Sequence, residues 1–124
     1  MERELKTPGH SDIVRDEKGR MLLNVAELAL AAAGECCTTL DWLRRVEVID
    51  RRSTDASSIR GEPLRGTTYV PAGTYVARVW AERYIAFGLD ANGRVRPLAS
   101  VPADEDAAVR LWPVLEREGV RVSP

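Results

Sequence analysis

Histidine, cysteine and long apolar runs are scarce in this chain, and each scarcity excludes a class of chemistry. The 124 residues contain one histidine, His10, and two adjacent cysteines, Cys36 and Cys37. A lone histidine leaves no basis for a histidine-dependent triad or a zinc site, so we expect no metal and no cofactor. Adjacent cysteines lack the gap of redox and zinc motifs and are poorly spaced for a structural disulfide. This pattern favours two buried, unreactive thiols in a reducing cytoplasm.

Membrane and nucleotide motifs are also missing. No stretch approaches the ~20 apolar residues of a membrane helix, and the opening residues, MERELKTPGHSD, have no apolar core for a secretory signal. Neither GxGxxG nor GxxxxGK[ST] occurs, so a phosphate-cradling loop is not expected. These absences predict a cytoplasmic protein without a membrane partner.

Arginine is the abundant cation, with sixteen copies against two lysines, and the net charge is −1. A balance so close to neutral argues against a protein that coats DNA. Planar guanidinium groups suit bidentate recognition of carboxylate or phosphate. The bias also fits codon use in a GC-rich bacterium or its phage, which is the interpretation we favour given the many alanines, valines and glycines.

The length and the apolar fraction of 44% predict one domain over residues 12–120, after a flexible N-terminus at 1–11. Ile13–Leu23 reads as a short hairpin with Gly19 at its turn. Asn24 is placed to cap an alanine-rich helix, Glu27 completes a capping-box pattern, and Gly34 is placed to end the helix. This helix is apolar almost all round, so the sheet or another protein chain must cover it.

The centre of the chain is less regular. Thr38 or Thr39 is placed to cap a second short helix, TLDWLRR, and Arg45–Arg51 alternates as a strand with Val46 and Val48 inward. Residues 53–66 form the one long loop, rich in serine, glycine, proline and charge. Loops of this length in compact domains are usually functional or disordered.

An antiparallel β-meander is predicted from Thr67 onward, with a strong Asp90–Gly93 hairpin turn. The predicted strands are Thr67–Val70, Thr74–Ala81, Tyr84–Leu89 and Arg94–Leu98. The alternative is a single helix over Thr74–Phe87, but β-branched and aromatic residues favour strands.

A final helix is predicted after Pro102, with three acidic residues in its first turn and an apolar stripe. The stripe consists of Ala108, Leu111, Trp112 and Leu115. Pro113 is expected to kink or split this helix, Gly119 to cap it, and the tail 121–124 to be exposed. The fold class is therefore α+β: a meander of about five strands packed against the Asn24 helix and the C-terminal helix, both expected on one face.

Two clusters carry candidate chemistry. Glu82, Arg83 and Tyr84 bring an acid, a cation and a phenol to one corner of the meander. With Asp41 they could form a histidine-free acid/base site of the isomerase or cyclase type, although a solvated turn with a surface ion pair is the simpler interpretation.

The second cluster is the arginine-rich loop, with Trp80 as a further binding candidate. Its candidate anion ligands are Arg51, Arg52, Arg60 and Arg65. No aromatic residue lies between Ile49 and Thr68, so base stacking would have to come from elsewhere, and nucleic acid is the less favoured partner.

Function is therefore an expectation with alternatives. We expect a small protein-binding or adaptor module whose partner is another protein or a second copy, most simply a homodimer. The alternatives are a small histidine-free enzyme and an anion or nucleic-acid binder.

Overall fold

The structure, a computed structural model, describes residues 3–4, 13–34 and 40–123. The expectations for Cys36 and Cys37, and for most of the flexible N-terminus, lie outside these residues. Within them the elements, in chain order, are β1 (Arg3–Glu4), β2 (Met21–Asn24), α1 (Val25–Ala33), β3 (Leu40–Arg45), β4 (Val48–Asp50), a 3₁₀ turn (Ala56–Ser58), β5 (Pro63–Leu64), β6 (Thr67–Val70), β7 (Gly73–Val79), β8 (Arg83–Leu89), β9 (Arg94–Pro102), α2 (Ala107–Arg117) and β10 (Arg121–Ser123).

The main sheet has the strand order β1-β9-β8-β7-β3-β5, and every neighbouring pair in it is antiparallel. Its centre is the β7–β8–β9 meander. Two short ribbons lie beside the main sheet, β2–β6 antiparallel and β4–β10 parallel. The predicted α+β fold with an antiparallel meander is confirmed, and the alternative of one helix over residues 74–87 is wrong.

Both faces of the central strands are apolar. Tyr75 and Phe87 are buried with α1 on one face, whereas Val76 and Ala86 are buried with α2 on the other. Because side chains alternate along a strand, apolar residues at consecutive positions require cover on both sides. The two helices therefore pack on the sheet as predicted, but on opposite faces rather than on one.

The first helix has the predicted ends. The Asn24 side chain accepts a hydrogen bond of 3.1 Å from the Glu27 backbone N–H, and Gly34 ends the helix with a φ of +72°. The preceding hairpin is also present in reduced form, because Gly19 (φ +79°) closes a turn with Asp16 and Arg15 bridges Met21. Local side-chain chemistry thus determines this part of the chain.

The predicted second helix is wrong, because TLDWLRR contributes strand β3 (Leu40–Arg45). Leu43 is fully buried, and its neighbours on either side are β7 and β5. This pairing between distant residues overrides the helical spacing of the two leucines. The inward residue of β4 is Ile49, with Val48 only half-buried, so that part of the predicted alternation is shifted by one position.

The C-terminal helix is shorter than predicted at its start. It begins after Asp106, so the three acidic residues precede the helix instead of occupying its first turn. Pro113 lies within it without splitting it. Gly119 (φ +89°) follows the helix, and the Val120 N–H donates to the Leu115 carbonyl at 3.1 Å, which is the predicted Gly-dependent end.

Two remaining segments are more ordered than their composition suggests. Ala56 and Ile59, within 53–66, are fully buried under the α2 face of the sheet. The tail at 121–123 pairs with β4 instead of lying free. In the described ranges, neither helix has the length and apolar character that crossing a bilayer requires.

Candidate functional site

The end of the sheet where β7 turns into β8 contains a β-bulge, a turn with two left-handed residues and a cluster of packed polar and aromatic side chains. The side chains gathered there are Asp41, Trp42, Arg78 and Tyr84, which we call the turn-end cluster. The turn itself consists of Trp80, Ala81 and Glu82. This end of the sheet contains more of the predicted candidate residues than any other part of the described chain.

A β-bulge in β3 places two consecutive side chains on the same side. Leu40 pairs with Val79 and Trp42 pairs with Arg78, so Asp41 is the extra residue. In a regular strand Asp41 and Trp42 would point to opposite faces. Here Asp41 Oδ2 lies 3.6 Å from Arg78 Nε, and the Trp42 ring lies 5.7 Å from that of Tyr84.

Arg78 is the centre of the cluster. Its guanidinium lies 5.6 Å from the centroid of the Tyr84 ring, which is cation–π geometry. Its Nη2 donates to the Ala81 carbonyl at 3.5 Å. Its Nε is buried and has no hydrogen-bond partner within the described ranges, because the Asp41 carboxylate lies just beyond hydrogen-bonding distance. Arg78 therefore joins β3, β8 and the turn.

Tyr84 is only 3% exposed and contributes its phenol to the same network. Burial raises the pKa of Tyr84 above its ordinary value, the Arg78 guanidinium lowers it, and the Asp55 carboxylate raises it through its charge and a hydrogen bond. The charge of Asp41 raises this pKa slightly further. The phenol is thus a hydrogen-bond donor at neutral pH and is not suited to act as a base.

The turn between β7 and β8 holds two non-glycine residues in left-handed backbone conformations. Trp80 has a φ of +61° and Ala81 a φ of +56°, and the Glu82 N–H donates to the Val79 carbonyl at 3.2 Å. This is the backbone of a type I′ turn, in which asparagine and glycine are preferred. Trp80 is nevertheless 49% exposed, so only about half of its side chain is buried and able to offset the strain.

The structure brings together only part of the predicted acid/base set. Asp41 and Tyr84 belong to the turn-end cluster, whereas Glu82 is exposed on the turn. Arg83 faces the α1 side, where it lines a cleft of about 180 Å³ with Ala32 and Ala33. Sequence reasoning missed Arg78 and Asp55. The alternation of the predicted strand Thr74–Ala81 puts Arg78 and Trp80 on one face, which could have pointed to Arg78, but Asp55 carries no local signal of its approach to Tyr84.

The four loop arginines do not share one surface. Arg51 forms an ion pair with Glu116 at 2.7 Å, and Arg60 donates to the Ser123 hydroxyl at 3.4 Å, both near the β4–β10 ribbon. Arg52 is exposed next to Arg51. Arg65 instead lines a cleft of about 360 Å³ between β3 and the start of α1.

Metal chemistry has no support in the described ranges, since they contain no group of three or more histidine, cysteine, aspartate or glutamate side chains arranged to hold an ion. Comparison with protein-family models, with curated proteins and with solved structures gives no match to this chain. The function must therefore be argued from the geometry of the turn-end cluster and its turn.

Proposed function

We propose that this protein is a small cytoplasmic protein-binding module that docks a partner chain at the β7–β8 end of its sheet, with Trp80 as the anchor. The cytoplasmic setting rests on the adjacent cysteines and their poor spacing for a disulfide. The binding role rests on one observation: a half-exposed tryptophan in a backbone conformation that tryptophan disfavours.

The strain at Trp80 supports a role outside the folded chain. A non-glycine residue in the left-handed region costs on the order of 1–3 kcal/mol, and such residues cluster at functional sites. An Asn-Gly pair would form the same turn at lower cost. Folding alone therefore gives no reason for Ala81 or for the exposed half of the Trp80 indole, whereas presentation of that half to a partner does.

The composition around the turn matches that of a protein interface. Tryptophan, tyrosine and arginine are enriched among residues that dominate binding energy, and beneath the turn the Tyr84 ring lies 5.7 Å from that of Trp42 and 5.6 Å from the Arg78 guanidinium. Asp41 and Arg78 are each about one third exposed, so they supply a polar rim. Because these groups are already packed, little ordering is needed on binding.

The two other classes have less support. An acid/base enzyme needs Glu82 and Tyr84 to converge on a substrate, but Tyr84 is buried against Asp55 and Glu82 is exposed. An anion site in the loop needs its arginines to converge, and Arg65 lies apart from Arg51 and Arg60. Self-association through α1 also has little to use, since the exposed positions of that helix are Ala26 and Glu27 and its remaining side chains are buried or half-buried.

The test compares three proteins as bait in the native host: the unmodified chain, Ala81→Gly, and the double variant Trp80→Asn with Ala81→Gly. Partners that bind the first two but not the third are expressed and their affinities measured by calorimetry. We expect a loss of at least about 30-fold in the double variant, which corresponds to about 2 kcal/mol. Ala81→Gly keeps the indole and should bind as the unmodified chain does. Equal binding by all three proteins, or no partner specific to the first two, would refute the proposal.

A further inference from the structure

A groove at the opposite end of the sheet forms a separate candidate site. It encloses about 230 Å³ where β8 turns into β9, and its lining residues are Gly73, Thr74, Gly88, Leu89, Asp90, Arg94, Arg96 and Glu118. Along β8 it lies four residues, or about 13 Å, from Tyr84. We propose that this groove binds a small carboxylate, which competes with the carboxylate of Glu118 for Arg96.

The floor of the groove is a glycine that the fold does not require. Gly88 lies inside β8, and its φ is outside the left-handed region. A Cβ atom built there meets only Arg96 Nη2 at 3.9 Å and Glu118 Oε1 at 4.0 Å, both ordinary contact distances. Glycine weakens a strand interior and often marks a place where a ligand approaches the backbone closely. The open floor is thus an observation that points to a ligand.

Polar groups flank this floor in register. Thr74 pairs with Gly88, and Gly88 pairs with Arg96, so the three residues form one row across β7, β8 and β9. Thr74 lies two residues before Val76, and Gly88 lies two residues after Ala86. The row is therefore on the same face of the sheet as Val76 and Ala86, which is the face covered by α2. Arg94, two residues before Arg96, lies on the same face. A hydroxyl and the Arg96 guanidinium thus flank bare backbone, which is suitable for a carboxylate.

The groove already holds one carboxylate from the chain itself. Glu118, the capping residue that follows α2, forms an ion pair with Arg96, and its side chain is only 22% exposed. Asp90 is used differently, because its Oδ1 accepts the N–H groups of Asn92 and Arg94 at 2.9 Å each and so fixes the turn. Glu118 therefore shows which ligand chemistry the groove accepts, and it is also the competitor that a free carboxylate must displace.

Because of this competition, removal of the Glu118 carboxylate is expected to strengthen the binding of a free carboxylate. In the unmodified protein a small carboxylate should bind weakly, in the millimolar range, because it must separate Arg96 from Glu118 and approach a like charge. In Glu118→Gln the competitor and the repulsion are both removed, so binding should tighten by about tenfold. An unpaired guanidinium would also attract acetate, so the Gly88→Val variant and the chloride control are needed to separate a site from that general attraction.

The experiment is a titration with sodium acetate at constant ionic strength, followed by the backbone amide signals of Thr74, Gly88 and Arg96. The proteins are the unmodified chain, Glu118→Gln, Glu118→Gln with Gly88→Val, and Glu118→Gln with Arg96→Gln. Valine suits a strand and fills the floor, so it should abolish binding while the amide signals elsewhere remain those of the folded protein.

Localised shifts that saturate at lower acetate concentration in Glu118→Gln, and that disappear in both double variants, support the proposal. Binding that is unchanged or weaker in Glu118→Gln overturns it. So does saturation that survives Gly88→Val, or a response to sodium chloride equal to the response to acetate, since either result describes a general surface effect and not a site.

Discussion

The most direct test of the strained turn is the substitution Ala81→Gly. Ala81 is exposed and has a φ of +56°, so removing its methyl group loses almost no packing. The left-handed conformation costs an L-residue about 1–2 kcal/mol, and glycine escapes this cost. Glycine also lowers the stability of the folded state by about 0.5–1 kcal/mol, because it gives the unfolded chain greater conformational freedom. The expected net result is stabilisation by about 0.5–1 kcal/mol.

The matched substitution at the neighbouring position has the opposite expected result. Trp80→Asn relieves a similar strain, but the buried half of the indole, roughly 100 Å², contributes up to about 2.5 kcal/mol at 25 cal/mol per Å². Trp80→Asn alone should therefore destabilise the chain by about 1–1.5 kcal/mol. The double variant combines two strain reliefs with one loss of packing and should lie close to the unmodified protein in stability.

Urea unfolding at 25 °C measures these differences, and thermal unfolding supports them, since 1 kcal/mol corresponds to several degrees in a chain of this size. The decisive comparison is between the urea midpoints of Ala81→Gly and of the unmodified chain, with the dependence of unfolding free energy on urea unchanged. If Ala81→Gly is destabilised by 0.5 kcal/mol or more, the turn is not strained at this position. The proposed binding role of Trp80 would then lose the backbone strain that supports it.

Two further predictions concern pH. Tyr75 is fully buried, its phenol donates a hydrogen bond to the Pro71 carbonyl, and burial is the main cause of its raised pKa. Because the folded state favours the neutral phenol, the free energy of unfolding should fall as the pH rises above about 10. Tyr75→Phe should reduce this alkaline loss, as measured by urea midpoints between about pH 8 and 11. The hydrogen bond from Arg110 lowers the pKa of Asp104, so the contribution of this carboxylate to stability is present above about pH 4 and is lost as the pH falls. Asp104→Asn should therefore reduce the loss of stability at acidic pH. An unchanged loss at acidic pH would contradict this assignment.

Local signals in the sequence predicted the parts of the fold that depend on local chemistry. The Asn24 cap, the Gly34 stop and the Asp90–Gly93 turn each place a residue type where its own backbone preference or side chain determines the conformation. Strand β3 was predicted as a helix because its leucines are one helical turn apart. Only its pairing with β7, 30 to 39 residues away, makes it a strand, and no local pattern carries that information.

The candidate site divides in the same way. Trp80 and Tyr84 could be singled out because aromatic residues near a predicted corner are visible in the sequence. The contact of Asp41 with Arg78 depends on a bulge, and the approach of Asp55 to Tyr84 depends on how residues 53–66 fold back over the sheet. Both are consequences of tertiary packing, so the sequence alone could not assemble the cluster.

The arrangement beneath the turn explains how a strained tip can persist. Asp55 holds Tyr84, Tyr84 supports the Arg78 guanidinium, and Arg78 reaches both Asp41 and the Ala81 carbonyl. A second restraint comes from the residue that follows β9, where the Ala103 N–H donates to the Glu82 carbonyl at 2.6 Å. Strain of this kind is retained only where surrounding contacts over-determine the backbone. Because these contacts come from three separate parts of the chain, the turn cannot relax without disturbing the α2 face of the sheet. Under the proposed binding role, Trp80 would thus already be in place before a partner arrives.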